Sequence, residues 1–223
     1  MFDAYPTYDK YRTLELKDQR QKGEDVYALQ TALNECDFPC GEADGILGVK
    51  TDKAIRAAQK ALLLEVDGKA GGFTQKALAL KITSKVATTK RVRYDALMGQ
   101  IEYESGYRLG IYSPQRDDDS YDAGVTQRNT NFTSPHIGFD CDKSINALAD
   151  EVKKHFELFA GVGVVRRRWE LAQAAWNAPA FACYIAREEG ATGVPIRMTL
   201  RPSSAARQTL ETYIDAVSKY LQV

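Results

Sequence analysis

The sequence predicts a mainly α protein of two domains, and three observations carry that expectation. Apolar side chains recur at helical spacing in one stretch after another, a loop-plus-helix unit is written twice in the first third, and a polar decapeptide separates that third from the remainder. The 223 residues allow one large or two small domains, and 44% hydrophobic residues with a mean hydropathy of -0.40 describe a soluble, core-forming chain. Lysine plus arginine equals aspartate plus glutamate at 30 each. No global basic field therefore exists to recruit nucleic acid or an anionic membrane surface, and no nucleic-acid partner is expected.

From Met1 to Pro6 there is no basic region followed by an apolar run, and no later stretch approaches the length of a membrane span. Neither a signal peptide nor membrane insertion is expected. The four cysteines are too scattered to staple a scaffold, although Cys36 and Cys40 are near enough to pair in an oxidising compartment. His136 and His155 are the sole histidines. They leave little material for a zinc hydrolase, so no metal and no cofactor are expected.

Val26, Leu29 and Leu33 form the stripe of a first amphipathic helix. Asp44-Gly45-Ile46-Leu47-Gly48-Val49-Lys50-Thr51 then returns as Asp67-Gly68-Lys69-Ala70-Gly71-Gly72-Phe73-Thr74, with Asp, Gly, Gly and Thr in register. Asp-Gly and the second Gly supply a tight turn. Thr51 and Thr74 are placed to cap helices whose apolar sides begin at Ala54-Ile55 and Ala77-Leu78. Lys81 to Lys90 has little apolar content and reads as a linker or a loosely held helix end. The expected division is thus a domain over 1–80 with its core at 14–80, a linker over 81–90 and a second domain over 91–223.

The second domain opens on a helix striped by Tyr94, Leu97, Met98 and Ile101 that runs into Glu102, Glu104, Ser105 and Gly106. At about 100° per residue, Glu104 lies roughly 70° and Glu102 roughly 90° from the stripe's centre, so periodicity barely separates the two carboxylates. A carboxylate in a helix's last turn faces the negative end of the macrodipole. Half-burial would penalise the charged form again, and a general acid needs its proton near neutral pH. The acidic loop Asp117-Asp118-Asp119 reads as solvent-facing. Ile145, Leu148, Val152, Phe156 and Phe159 keep helical spacing, as do Leu210, Tyr213, Ile214, Val217, Tyr220 and Leu221. Arg166-Arg167-Arg168 reads as a solvated charge run. Asp140-Cys141 superficially resembles a cysteine-peptidase pair, yet no strand pattern precedes it and His155 follows closely on an apolar helix.

Over residues 14–80 the opening Gly23-Glu24-Asp25-Val26, the Leu29-Gln30 pair and both Asp-Gly-x-x-Gly-x-x-Thr turns resemble the three-helix peptidoglycan-binding domain appended to cell-wall hydrolases. That resemblance implies bacterial peptidoglycan as partner, with Asp44, Gly45, Asp67 and Gly68 on the binding rim. Over residues 91–223 the run Glu104-Ser105-Gly106 resembles the first motif of the lysozyme-like muramidases, the goose-type lysozymes and soluble lytic transglycosylases. By that resemblance the second domain is an α-helical lysozyme-like catalytic domain and Glu104 is its catalytic acid, with Ser105 beside it. Gly124-Val125-Thr126-Gln127 partly matches their Gly-Leu-Met-Gln, which implies that Tyr121, Thr126 and Gln127 line a sugar groove. Ala175-Trp176-Asn177 stands where they carry Ala-Tyr-Asn, so Trp176 and Asn177 are expected to contact substrate.

The implied reaction is cleavage of the β-1,4 bond between N-acetylmuramic acid and N-acetylglucosamine. Hydrolysis is narrowly favoured, with Asp118 or Asp122 positioning water. The alternatives are a lytic transglycosylase in which Glu104 acts alone, leaving 1,6-anhydromuramic ends, and a non-catalytic wall-binding protein. A binding module, a muramidase domain and no visible export signal together resemble a phage endolysin. Such a protein is expected as a monomer that is made in the host cytoplasm and reaches the wall once the membrane is permeabilised.

Overall fold

The computed structural model describes residues 12–221; the amino-terminal stretch read for an export signal lies outside them. Among the described residues the chain is mainly helical. Its elements are α1 (Glu24–Glu35), α2 (Val49–Ala61), α3 (Gly72–Lys90), α4 (Tyr94–Ser105), β1 (Asp122–Ala123), β2 (Arg128–Asn129), α5 (Pro135–Phe139), α6 (Cys141–Leu158), α7 (Val165–Ala174), α8 (Pro179–Glu188) and α9 (Ser204–Val217). None of the described helices is long and apolar enough to cross a membrane.

The folded chain divides into two compact units that do not follow the sequence order. One runs to Val86 and resumes over Glu104–Ile145; the other is Ala87–Tyr103 with Asn146–Val223. Residues 81–90, expected as a linker or helix end, are the last turns of α3, with Ile82, Val86 and Ala87 buried. Three well-spaced apolar side chains are enough to hold those turns. The boundaries of these compact units fall inside α3, α4 and α6.

In the first unit the core is made by Val26, Leu29 and Leu33 of α1, Ile55 and Ala58 of α2, and Leu78, Ala79 and Ile82 of α3. Leu14 and Ala70 exchange backbone hydrogen bonds as an isolated antiparallel bridge, and Lys22 bridges Ile46. The segment from Glu104 returns to these helices. The Leu109 amide donates to Gln75 Oε1 at 3.1 Å, and the Lys76 ammonium sits 4.7 Å from the centre of the Tyr107 ring. It then forms the β1–β2 hairpin, in which Asp122 faces Asn129 and Ala123 faces Arg128.

In the second unit Gln173 of α7 is fully buried, and its amide donates to Ala96 O of α4 at 2.9 Å and to Val217 O of α9 at 3.1 Å. Phe156 stacks on Trp169 at 3.9 Å between ring centres, and the Arg168 guanidinium lies 3.8 Å from the Phe156 ring. The expectation that the arginine run is simply solvated is therefore corrected. Arg167 reaches Glu170 at 3.4 Å, Glu189 at 3.1 Å and Glu211 at 2.7 Å; burial works to lower its pKa, yet Glu211 and Glu189 hold it above the ordinary guanidinium value. Arg167→Ala removes the shared cation from Glu189 and Glu211, while Glu170 keeps Arg166 at 3.0 Å. Since the network is part-exposed, the expected loss is about 2 kcal/mol, read from urea unfolding; a variant as stable as the parent would show the network to be ornamental.

Candidate functional site

Each repeat is closed by a buried glutamine. In the first, Gln30 Nε2 donates to Asp44 Oδ1 at 2.9 Å, Ile46 O at 3.2 Å and Thr51 Oγ1 at 3.2 Å, while its Oε1 accepts the Gly45 amide at 2.8 Å. In the second, Gln59 Nε2 donates to Asp67 Oδ1 at 2.7 Å, Lys69 O at 3.1 Å and Thr74 Oγ1 at 3.3 Å, and its Oε1 accepts the Gly68 amide at 2.9 Å. The aspartates also receive the amide two residues on, from Ile46 and Lys69. Gly45 and Gly68 have φ of 69° and 75°, which a side chain would strain. A donor held on each carboxylate favours the charged form, so both titrate below the ordinary value: Asp44 chiefly through Gln30, Asp67 chiefly through the Lys69 amide and then Gln59.

This geometry corrects the expected capping role of the threonines. Thr51 and Thr74 do not cap; α2 is capped at Gly48 without a side-chain bond, and Thr51 lies inside the helix as an acceptor for Gln30. Asp44, Gly45, Asp67 and Gly68 hold their own loops closed, with one carboxylate oxygen of each aspartate engaged internally.

In the same unit Glu104 is the penultimate residue of α4 and is half-buried. The helix stops because Gly106 and Tyr107 both take positive φ, 59° and 65°. Ser105 is buried, and its hydroxyl donates to Val125 O at 2.7 Å, tying the end of α4 to the turn of the β1–β2 hairpin. Gly124 has φ of 75°, and a Cβ there would lie 1.7 Å from Gly138 O, so the hairpin meets α5 backbone to backbone. Gln127 Nε2 donates to Gly124 O at 2.8 Å and Ile111 O at 3.2 Å. The amide expected to reach a sugar thus fixes the loop. Thr126 is fully buried; Tyr121 is half-buried, its ring edge-on to Tyr112 at 5.8 Å.

Both candidate water-positioning carboxylates are engaged in the loop. Asp118 is exposed and accepts from the Ser120 hydroxyl at 2.6 Å and the Asn131 amide at 2.8 Å, which lower its pKa to about 2. Asp122 pairs with Arg116 at 2.5 Å and accepts from Asn129 at 3.0 Å. Glu102 lies in the second unit, 3.4 Å from Lys219. The third motif is also there. Asn177 is exposed and borders a cavity of 650 Å³ with Tyr103, Phe181, Leu210 and Tyr213, whereas half-buried Trp176 is not part of that lining.

Cys141 is fully buried, and burial pushes its thiol well above its ordinary pKa, the reverse of what a nucleophilic cysteine needs. Cys36 and Cys40 are buried free thiols directed at Leu78 O and Gln30 O, and burial raises Cys36 to about 12.

The clamped repeats coincide with a known family. Residues 22–78 match the family model described as "Putative peptidoglycan binding domain". No curated protein matches the chain. The match ends inside α3 and does not extend to Glu104. The peptidoglycan-binding domain supports association with the cell wall and peptidoglycan as a partner of the chain.

Sequence reasoning used Gln30 only as part of the Leu29-Gln30 resemblance and passed over Gln59, and it gave neither its role as a clamp. Their signal was present, since Ala28-Leu29-Gln30 and Ala57-Ala58-Gln59 place a glutamine in the helix before each Asp-Gly loop. A polar residue on a buried helix face is the mark of a hydrogen-bonded anchor.

Proposed function

We propose that the chain is a wall-bound glycosidase that cuts the β-1,4 bond between N-acetylmuramic acid and N-acetylglucosamine, with Glu104 as the general acid. The observation that carries this reading is Glu104 itself: a half-buried carboxylate at the C-terminal end of α4, in the same compact unit as the peptidoglycan-binding domain, its neighbour Ser105 bonded to the hairpin turn.

The state of the other carboxylates favours the single-acid chemistry over water activation. A base works best with a pKa near the operating pH, and Asp118 at about 2 is a weak one. Asp122 is bonded at both oxygens. Glu104 would then protonate the leaving glycosidic oxygen and, as a carboxylate, take the proton from the muramic C6 hydroxyl as that oxygen closes on C1. The product carries a 1,6-anhydromuramic end. Together with the binding domain this chemistry suits a lysis enzyme of the endolysin kind. Mass spectrometry of digested peptidoglycan tests it: anhydromuramic ends are expected. Reducing muramic ends would return the reaction to hydrolysis, and an undigested wall would leave a binding protein.

A further inference from the structure

The two repeats share their clamp and differ in what they present outward. Gln30 and Gln59, Gly45 and Gly68, and Thr51 and Thr74 are buried, and the exposed Asp44 and Asp67 are held by them, so this shared set closes both loops alike and the difference between the repeats lies in the other positions. At matching places the first repeat has Ile46, Val49 and Lys50 where the second has Lys69, Gly72 and Phe73. Beside the second repeat lies a cavity of 280 Å³ whose lining includes Thr13, Leu64, Glu65, Lys69, Gly72 and Phe73. Phe73 is 86% exposed and gives that cavity an apolar aromatic wall. A Cβ placed on Gly72 would meet nothing within 4 Å, so the missing side chain leaves the cavity mouth open.

The lining is also charged, with Glu65, Asp67 and Lys69 all exposed on it. Among the described residues, neither the Glu65 carboxylate nor the Lys69 ammonium has an ion-pair partner, although both border the same small space. A neutral N-acetyl sugar offers neither charge an ionic partner, whereas a ligand with an ammonium and a carboxylate would pair with both. The volume lies just below that of ordinary ligand pockets, roughly 300–1,000 Å³, and suits a chain end more than an extended polymer.

We infer that this second-repeat cavity binds the peptide stem of the wall polymer rather than its glycan, with a stem carboxylate at Lys69, a stem ammonium at Glu65 and aliphatic stem atoms against Phe73. The inference rests on the wall-binding reading and deepens it. The test uses the full chain with Glu104→Gln, so that the wall stays intact, sedimented with purified sacculi in competition with either a synthetic stem pentapeptide carrying a free side-chain ammonium or peptide-stripped glycan. Lys69→Ile and Phe73→Lys install the residues of the first repeat, which the fold already accommodates, and unchanged thermal unfolding verifies that. Competition by the pentapeptide is expected, with affinity reduced at least tenfold in each variant. Competition by stripped glycan alone, or variants that bind like the parent, would overturn the peptide assignment while sedimentation upholds wall binding. A parent chain that does not sediment would overturn the wall-binding reading and this inference with it.

Discussion

Replacing Glu104 by Gln is expected to lower clearing of purified cell walls by about 10²–10⁴-fold, the usual contribution of a positioned general acid, while leaving the fold and sedimentation with the wall unchanged. The amide keeps the shape of the carboxyl group and cannot give a proton to the leaving oxygen. Glu102→Gln is the matched control. It changes the same residue type two positions earlier, but Glu102 belongs to the second unit, beside Lys219 at 3.4 Å and hydrogen-bonded by the Tyr220 hydroxyl, so only a small effect is expected. Equal losses in the two variants, or robust clearing by the Glu104 variant, would remove the proposed role.

The second large effect is on stability. Gln59→Leu deletes donors to Asp67, Lys69 O and Thr74 and strands the buried Gly68 amide, for an expected cost on the order of 3 kcal/mol in urea unfolding, with wall retention falling in parallel. Gln30→Leu should behave alike, because its bonds repeat those of Gln59. A loss under about 1 kcal/mol in both would mean that the loops close without their clamps. The clamps also carry a pH dependence. Asp44 and Asp67 titrate below their ordinary value in the folded chain, so the stability they add is present above the unfolded carboxylate pKa and is lost as pH falls through the lowered ones.

What the sequence by itself determined is local. The apolar stripes of α1, α4, α6 and α9 are helices because residues three and four apart share a face, and that spacing is visible without a fold. The doubled Asp-Gly-x-x-Gly-x-x-Thr was legible for the same reason, and so was the stop at Gly106, where α4 ends in the left-handed region. The tertiary structure decided what depends on distant partners. Gln30 reaches Asp44 and Thr51 across a loop, and Ser105 reaches Val125, by bonds that leave no periodic trace. Asp118 and Asp122 look like available acids in the sequence, but donors from Asn131, Asn129 and Arg116 engage them. Glu102 and Glu104 flank the same stripe at nearly equal angles, and the fold sends them to different units. Helical periodicity records which face a residue shares with its neighbours, and only packing determines what that face meets.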